Sequence, residues 1–128
     1  MKVVLMTTII LICCTLSCVS HKTTAVDMVK TIMSNPKCNI VNDKYCTLSP
    51  IMEKSTRSCP GIYEKTLTSF NGNYSIKSID YVNGSCDKIR IYINNDDIGN
   101  GLEFYFSFKG DKATLELLTA DVVVGECK

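Results

Sequence analysis

Thiol chemistry is the first question that this sequence raises, because eight of its 128 residues are cysteines. Three stand together in LICCTLSCVSH at residues 11–21, and the other five are Cys38, Cys46, Cys59, Cys86 and Cys127. Zinc sites commonly use cysteines separated by two to four residues. No two of the five later cysteines have that spacing, so we expect no metal site and no other cofactor. The five are predicted to form disulfide bonds.

The residues that precede the domain indicate where those cysteines work. Lys2 is followed by VVLMTTIILICCTL, fourteen residues without a charge. That run is shorter than the roughly 20 apolar residues that cross a bilayer, and it is typical of a secretory signal peptide. Ser20 at position −1 predicts cleavage before His21, which makes residues 1–20 the signal peptide and residues 21–128 a single secreted α+β domain. The alternatives are a cut after Ser17 and a retained membrane anchor.

The number of cysteines depends on that cut. Five is an odd number, so one thiol would be free or would pair between chains, whereas a cut after Ser17 retains Cys18 and makes six. Cys86 is predicted to pair with Cys127, since one lies near the start of a strand and the other near the end of another. Cys46 and Cys59 are predicted not to pair with each other. A helix between them would span about 12 Å, and bridged Cα atoms lie about 4.4–6.8 Å apart.

Acid–base chemistry has few candidates in this chain. The only histidine is His21, at the expected cleavage point, so Cys–His and Ser–His–Asp arrangements lack their base. No pair of carboxylates stands out among the thirteen acidic residues, since Asp96 and Asp97 are adjacent residues of the polar loop NNDDIGNG. A calcium site in that loop is not expected either, because Ile98 supplies no side-chain oxygen. We therefore expect that the protein is not an enzyme.

The charge balance and two glycosylation tripeptides indicate the character of the protein surface. Of the 14 basic residues, removal of Lys2 leaves 13, which equals the 13 acidic residues. Such a balance predicts no binding to nucleic acid or anionic lipid. The tripeptides NYS at Asn73 and NGS at Asn83 are acceptor sites for N-glycosylation, which fits an exported protein.

Two short helices are predicted in the first half of the chain. TTAVDMVKTIMSNP at residues 23–36 should start at a cap on Thr24 and end before Pro36. A second helix is predicted at residues 50–57, with Ser49 as its cap and proline at its first position. The first helix has an apolar stripe that should pack on a sheet, formed by Val26, Val29, Ile32 and Met33.

From residue 61 onward the chain is rich in strand-forming residues. The predicted strands are IYEKTLTSF, NYSIKSIDYV, DKIRIYIN, LEFYFSFKG, KATLELLT and DVVVGEC. Asn71-Gly72, Asn83-Gly84 and Gly110-Asp111 are turn signals between them. Alternation places apolar residues on one face, namely Ile89, Ile91, Ile93, Leu102, Phe104, Phe106 and Phe108. We expect one or two short N-terminal helices packed on a five- to six-stranded antiparallel meander, stapled by disulfide bonds.

These observations predict a secreted, disulfide-stabilised binding module that engages an extracellular protein. An immune-modulating or effector role would fit such a module. Tyrosine is enriched at interfaces, so the candidate contact residues are Tyr63, Tyr74, Tyr81, Tyr92 and Tyr105. The alternative is a carrier of a small hydrophobic ligand held between helix and sheet, lined by Phe104, Phe106, Phe108, Ile89 and Ile91. The same residues would also fill an ordinary core.

Overall fold

In the computed structural model, which describes residues 2–36, 46–59 and 61–123, an N-terminal helix lies across a β-sheet. Strands β2 to β5 form an antiparallel meander in which each strand pairs with the next along the chain, and the short β1 pairs in parallel with β5. The predicted α+β class is confirmed. The elements are α1 (Lys2–Ser34), β1 (Cys46–Leu48), α2 (Pro50–Ser58), α3 (Ile62–Ser69), β2 (Ser75–Val82), β3 (Ser85–Asn95), β4 (Asn100–Lys109) and β5 (Lys112–Ala120).

The antiparallel meander has four strands, so the prediction of five or six is wrong. IYEKTLTSF forms helix α3 and the start of the turn after it. Its buried residues Thr66, Leu67 and Phe70 have the spacing of one helical face, and this packing overrides the strand preference of its branched and aromatic residues. The last predicted strand is also incorrect in its described part, because residues 121–123 follow β5 outside any strand. They remain attached to the start of β4, since the Asp121 amide donates to the Gly101 carbonyl at 2.9 Å and the Val122 amide donates to Asn100 Oδ1 at 3.0 Å. Residues 124–127 lie outside the described part of the chain.

Helix α1 is longer than predicted, because it has no boundary at Thr24. Residues 2–34 contain neither proline nor glycine, so nothing in the sequence interrupts the helical hydrogen bonds. The Thr23 hydroxyl donates to the Val19 carbonyl at 3.1 Å, a bond within the helix rather than a cap. The helix ends at Ser34, shortly before Pro36 as predicted. Among the described residues, no helix combines the length and the apolar character needed to cross a membrane.

The core lies between α1 and the inner face of the sheet. The seven apolar residues predicted for one face of β3 and β4 are all buried, and Val29, Ile32 and Met33 of α1 are buried with them. Val26 is only half-buried at the margin of this cluster, while Met28, which was not predicted, is buried. The predicted stripe therefore packs on the sheet, except that Met28 is buried where Val26 had been expected. The shorter helices add Met52, Leu67 and Phe70 to the same core.

The connections follow the glycine and asparagine signals. Asn83 and Gly84 both have positive φ, 53° and 70°, and join β2 to β3 with Val82 opposite Ser85, which confirms a two-residue hairpin. Gly110, with φ of 61°, turns β4 into β5. Asn71-Gly72 also has positive φ at both residues, but it joins α3 to β2 and not two strands.

Helix α2 forms where predicted and is tied to the sheet by its cap. The Ser49 hydroxyl accepts a hydrogen bond from the Met52 amide at 3.3 Å and donates to the Glu116 carbonyl at 3.0 Å. The Ser49 amide donates to the Leu115 carbonyl at 3.0 Å. Ser49 therefore caps α2 and attaches its first turn to β5.

A disulfide bond joins Cys18 to Cys86, with the Cα atoms 4.9 Å apart. The predicted pairing of Cys86 with Cys127 is therefore wrong, and Cys18 belongs to the disulfide framework. The reason is the unbroken α1, which places Cys18 beside the start of β3. Cys59 is disulfide-bonded as well. Cys38 and Cys127 lie outside the described residues, as does the side chain of Cys46.

The two faces of the sheet should respond differently to truncation. Phe104→Ala removes a fully buried ring and should lower the free energy of unfolding by about 3–5 kcal/mol. Leu117→Ala, on the other face and 43% exposed, should change it by no more than about 0.5 kcal/mol. Urea denaturation of the oxidised protein measures both. Similar losses for the two variants would contradict the assignment of the core to the α1 side.

Candidate functional site

The sheet face opposite α1 carries two rows of side chains, each of which crosses all four antiparallel strands. In one row Asp80 pairs with Arg90, Arg90 with Tyr105, and Tyr105 with Leu117. The second row is Ser78, Tyr92, Glu103 and Thr119. All eight residues of the two rows are half-buried or exposed, as expected for a face that solvent reaches. We call these two rows the open face.

Arg90 lies at the centre of the open face and connects its neighbours. Its Nη2 donates to Asp80 Oδ2 at 3.3 Å, and its Nη1 lies 3.8 Å from Glu103 Oε1. The Tyr105 hydroxyl donates to Glu103 Oε2 at 2.7 Å. In the described part of the chain, Arg90 Nε is buried without a hydrogen-bond partner. The guanidinium and the phenol are thus held in one orientation by two carboxylates.

The charges and hydrogen bonds of this network alter the ionisation of its members. The hydrogen bond to Glu103 raises the pKa of Tyr105, and burial adds to that effect. The pKa of Arg90 is raised by its hydrogen bond with Tyr105 and by the negative charge of Glu103. At neutral pH the phenol is therefore a donor and the guanidinium is a cation.

Tyr92 is held in the second row by a different set of contacts. Its hydroxyl donates to Asp121 Oδ2 at 3.2 Å and accepts from Asn94 Nδ2 at 3.2 Å. Its ring lies against Gly101, where an added Cβ would clash with the ring and would lie 2.6 Å from Asp121 Oδ2. Gly101 is needed here because only a residue without a side chain lets the Tyr92 ring approach the strand.

The five tyrosines predicted as contact residues divide into two groups. Tyr92 and Tyr105 lie on the open face, whereas Tyr63, Tyr74 and Tyr81 pack partly against the core. Sequence reasoning missed Arg90 and Leu117. The alternation that identified Ile89 and Ile91 as inward-facing also places Arg90 outward. Leu117 had no such signal, because a register shift follows Tyr105 in its pairing with β5.

His21, which the sequence places at the expected cleavage point, lies inside the fold. It is 7% exposed, and its ring stacks on Phe108 with centroids 4.3 Å apart. Nδ1 lies 3.0 Å from the Cys86 carbonyl oxygen and Nε2 lies 2.9 Å from that of Gly110. A ring protonated on both nitrogens donates both bonds and a neutral ring donates one. In either form the ring joins α1 to the sheet side of the fold through a hydrogen bond to one or both of these carbonyl oxygens.

A cavity of about 350 Å³ lies between α3 and the adjoining ends of β4 and β5. None of the five residues predicted for a hydrophobic ligand lines it, since those five pack in the core. The lining is mostly apolar and includes Cys59, Ile62, Tyr63, Leu102, Leu118 and Ala120.

The predicted glycosylation sites are both exposed and lie beyond opposite ends of β2, which is one of the two edge strands of the described sheet. Asn83 is in the β2–β3 turn, and Asn73 precedes β2 and donates to Asp97 Oδ2 at 2.6 Å. Asp96 pairs with Lys77 at 3.3 Å. Within the described residues, no three His, Cys, Asp or Glu side chains are grouped as metal ligands.

Comparison with protein-family models, with curated proteins and with solved structures finds no match for this chain. The site itself is a polar, tyrosine-bearing sheet face whose reverse side packs against α1.

Ionisation of Tyr105 provides a test of the network. Because neutral Tyr105 donates to Glu103, its pKa should lie above the ordinary value of 10.0. Its contribution to stability should be present below pH ~10 and be lost as the pH rises through the folded pKa. The difference in phenolate absorbance between wild type and Tyr105→Phe during an alkaline titration isolates this group.

Glu103→Ala is the matched variant for that titration. It removes the acceptor, so the pKa of Tyr105 should fall. A Tyr105 that ionises at or below the ordinary value in the wild type would contradict the hydrogen bond.

Proposed function

We propose that this chain is a secreted, disulfide-stabilised binding module that engages an extracellular protein through the open face. The observation that supports it most directly is the row from Asp80 through Arg90 and Tyr105 to Leu117, whose members are half-buried or exposed. Hydrogen bonds to Asp80 and Glu103 hold Arg90 and Tyr105 of this row in place. The uncharged apolar run that follows Lys2 and the disulfide bonds of Cys18, Cys59 and Cys86 support an extracellular site of action.

The chemistry of the open face favours a protein partner over a small molecule. Tyrosine and arginine are the side chains that dominate protein interfaces energetically, and here both are central. Their orientation is fixed before binding, so less side-chain freedom is lost when a partner docks. Asp80 and Glu103 place negative charge beside Arg90, which disfavours nucleic acid and favours a partner surface of mixed charge.

The position of the sequons also favours the face over the edge of the sheet. An outermost strand such as β2 can accept an added strand from a partner. Glycans on Asn73 and Asn83 would stand at the two ends of that strand and hinder such an approach. The β5 side of the open face, where Leu117 is exposed, carries neither sequon. An immune-modulating or effector role is consistent with a partner that is itself extracellular.

A paired substitution tests the open face. The secreted protein is screened by interferometry against a panel of receptor ectodomains and soluble extracellular mediators. Leu117→Lys, in the row beside Tyr105, should weaken the binding that is found by about tenfold or more, since it would bury an unpaired charge in the interface.

Ile98→Lys is the control for that screen. It adds the same charge in the loop between β3 and β4 at a side chain that is 48% exposed, compared with 43% for Leu117. The control should bind as the wild type does. Equal binding by both variants, or no binding to any extracellular protein by the wild type, would contradict the proposal.

The second candidate function is a carrier of a small hydrophobic ligand, and the cavity beside α3 is the observation that favours it. Its volume of about 350 Å³ is near the lower end of the range for ligand sites. The proposed site therefore moves from the residues predicted from sequence to those around Leu102, Leu118 and Ala120.

Native mass spectrometry of the secreted protein tests the carrier. A bound apolar molecule should be detected, and Ala120→Phe should displace it by filling the cavity. Leu117→Phe, which enlarges a side chain on the open face, should retain the molecule. A wild-type protein that is recovered empty, or a bound molecule that Ala120→Phe leaves in place, would contradict the carrier function.

A further inference from the structure

We propose that export processing cuts the chain between Ser17 and Cys18, so that the mature protein begins with Cys18 and contains six cysteines. This inference rests on the proposed secretion. It differs from the cut before His21 that the sequence pattern favours. The two cuts differ by three residues, Cys18, Val19 and Ser20. The structure distinguishes the cuts because the fold uses Cys18 in a disulfide bond.

Cys18 is the point at which helix α1 becomes attached to the sheet. Its disulfide bond to Cys86 joins α1 to the start of β3. Immediately before it, Leu16 is 64% exposed and Ser17 is exposed. Among the side chains that the structure describes, contacts between α1 and the sheet therefore begin at Cys18.

A cut before His21 would remove that attachment. Cys86 would lose its partner, and the mature chain would hold an odd number of cysteines in an oxidising compartment. The new α-ammonium group would stand on His21, which is 7% exposed and whose ring lies between the Cys86 and Gly110 carbonyls. A charged terminus beside a buried ring costs free energy that the other cut avoids.

The sequence permits the cut before Cys18. Thr15 and Ser17 are small residues at positions −3 and −1, as processing requires. The uncharged run that precedes them remains long enough for the apolar region of a signal peptide, about 7–15 residues. With Cys18 retained, the six cysteines are Cys18, Cys38, Cys46, Cys59, Cys86 and Cys127. In this even set Cys18 is bonded to Cys86, and Cys59 is disulfide-bonded as well.

Intact mass and N-terminal sequencing of the full chain secreted by cultured cells test this proposal. The mature protein should begin at Cys18, take up no alkylating label without reduction, and take up six labels after reduction. Peptide mapping without reduction should recover Cys18 linked to Cys86.

Two serine substitutions four residues apart in α1 provide a matched control. Cys14→Ser should give a secreted protein whose mass is identical to that of the wild type, because Cys14 is removed with the leader. Cys18→Ser should give a protein whose mass differs by the change from sulfur to oxygen, with one labelled thiol at Cys86 before reduction. Its urea midpoint should also fall relative to Cys14→Ser.

The outcomes separate this proposal from that of secretion. A secreted protein that begins at His21, with Cys18→Ser indistinguishable in mass from the wild type, overturns the cut site alone. A secreted protein that begins at Cys18 but links Cys18 elsewhere overturns its structural basis. A chain that stays in the cell with its leader attached overturns both proposals.

Discussion

The attachment of helix α1 to the sheet is the constraint on which the rest of the fold depends. The Cys18–Cys86 bond and the stacked, hydrogen-bonded His21 act within one turn of each other. They place the apolar side of α1 over β3 and β4, where Phe104 and its neighbours are buried. The bond closes a separation of 68 residues, so it removes a large share of the freedom of the unfolded chain.

This arrangement divides the sheet into two faces with different chemistry. The inner face carries isoleucine, leucine and phenylalanine against α1, while the open face carries charged and phenolic side chains that bond to one another. Because each row of the open face crosses four strands, the positions of Arg90 and Tyr105 depend on the register of the whole meander. Gly101 shows how closely this face is packed, since the Tyr92 ring occupies the space of a side chain there.

Much of the fold could be predicted from sequence where one local signal was decisive. The alternation of β3 and β4, the Asn83-Gly84 hairpin and the Ser49 cap each depend on neighbouring residues, and all three are confirmed. Features that depend on distant contacts were missed. Helix α3 is decided by the burial of Leu67 and Phe70 under the rest of the domain. The partner of Cys86 could not be identified by counting, because six cysteines allow fifteen pairings, and the sequence leaves open whether Cys18 is retained.

The candidate site was accessible to sequence reasoning only in part, and for the same reason. Tyr92 and Tyr105 could be named as exposed from alternation, but the role of Arg90 depends on Asp80 and Glu103, which come from two other strands. Helix α1 contains both the apolar leader pattern and the core-facing stripe, which the sequence predicts as two separate segments. Its first part has the apolar pattern of the proposed export segment, and from Cys18 onward its side chains contribute to the domain. Under the proposed export, the Cys18–Cys86 bond would form only after Cys86 had reached an oxidising compartment, which would link export to completion of the fold.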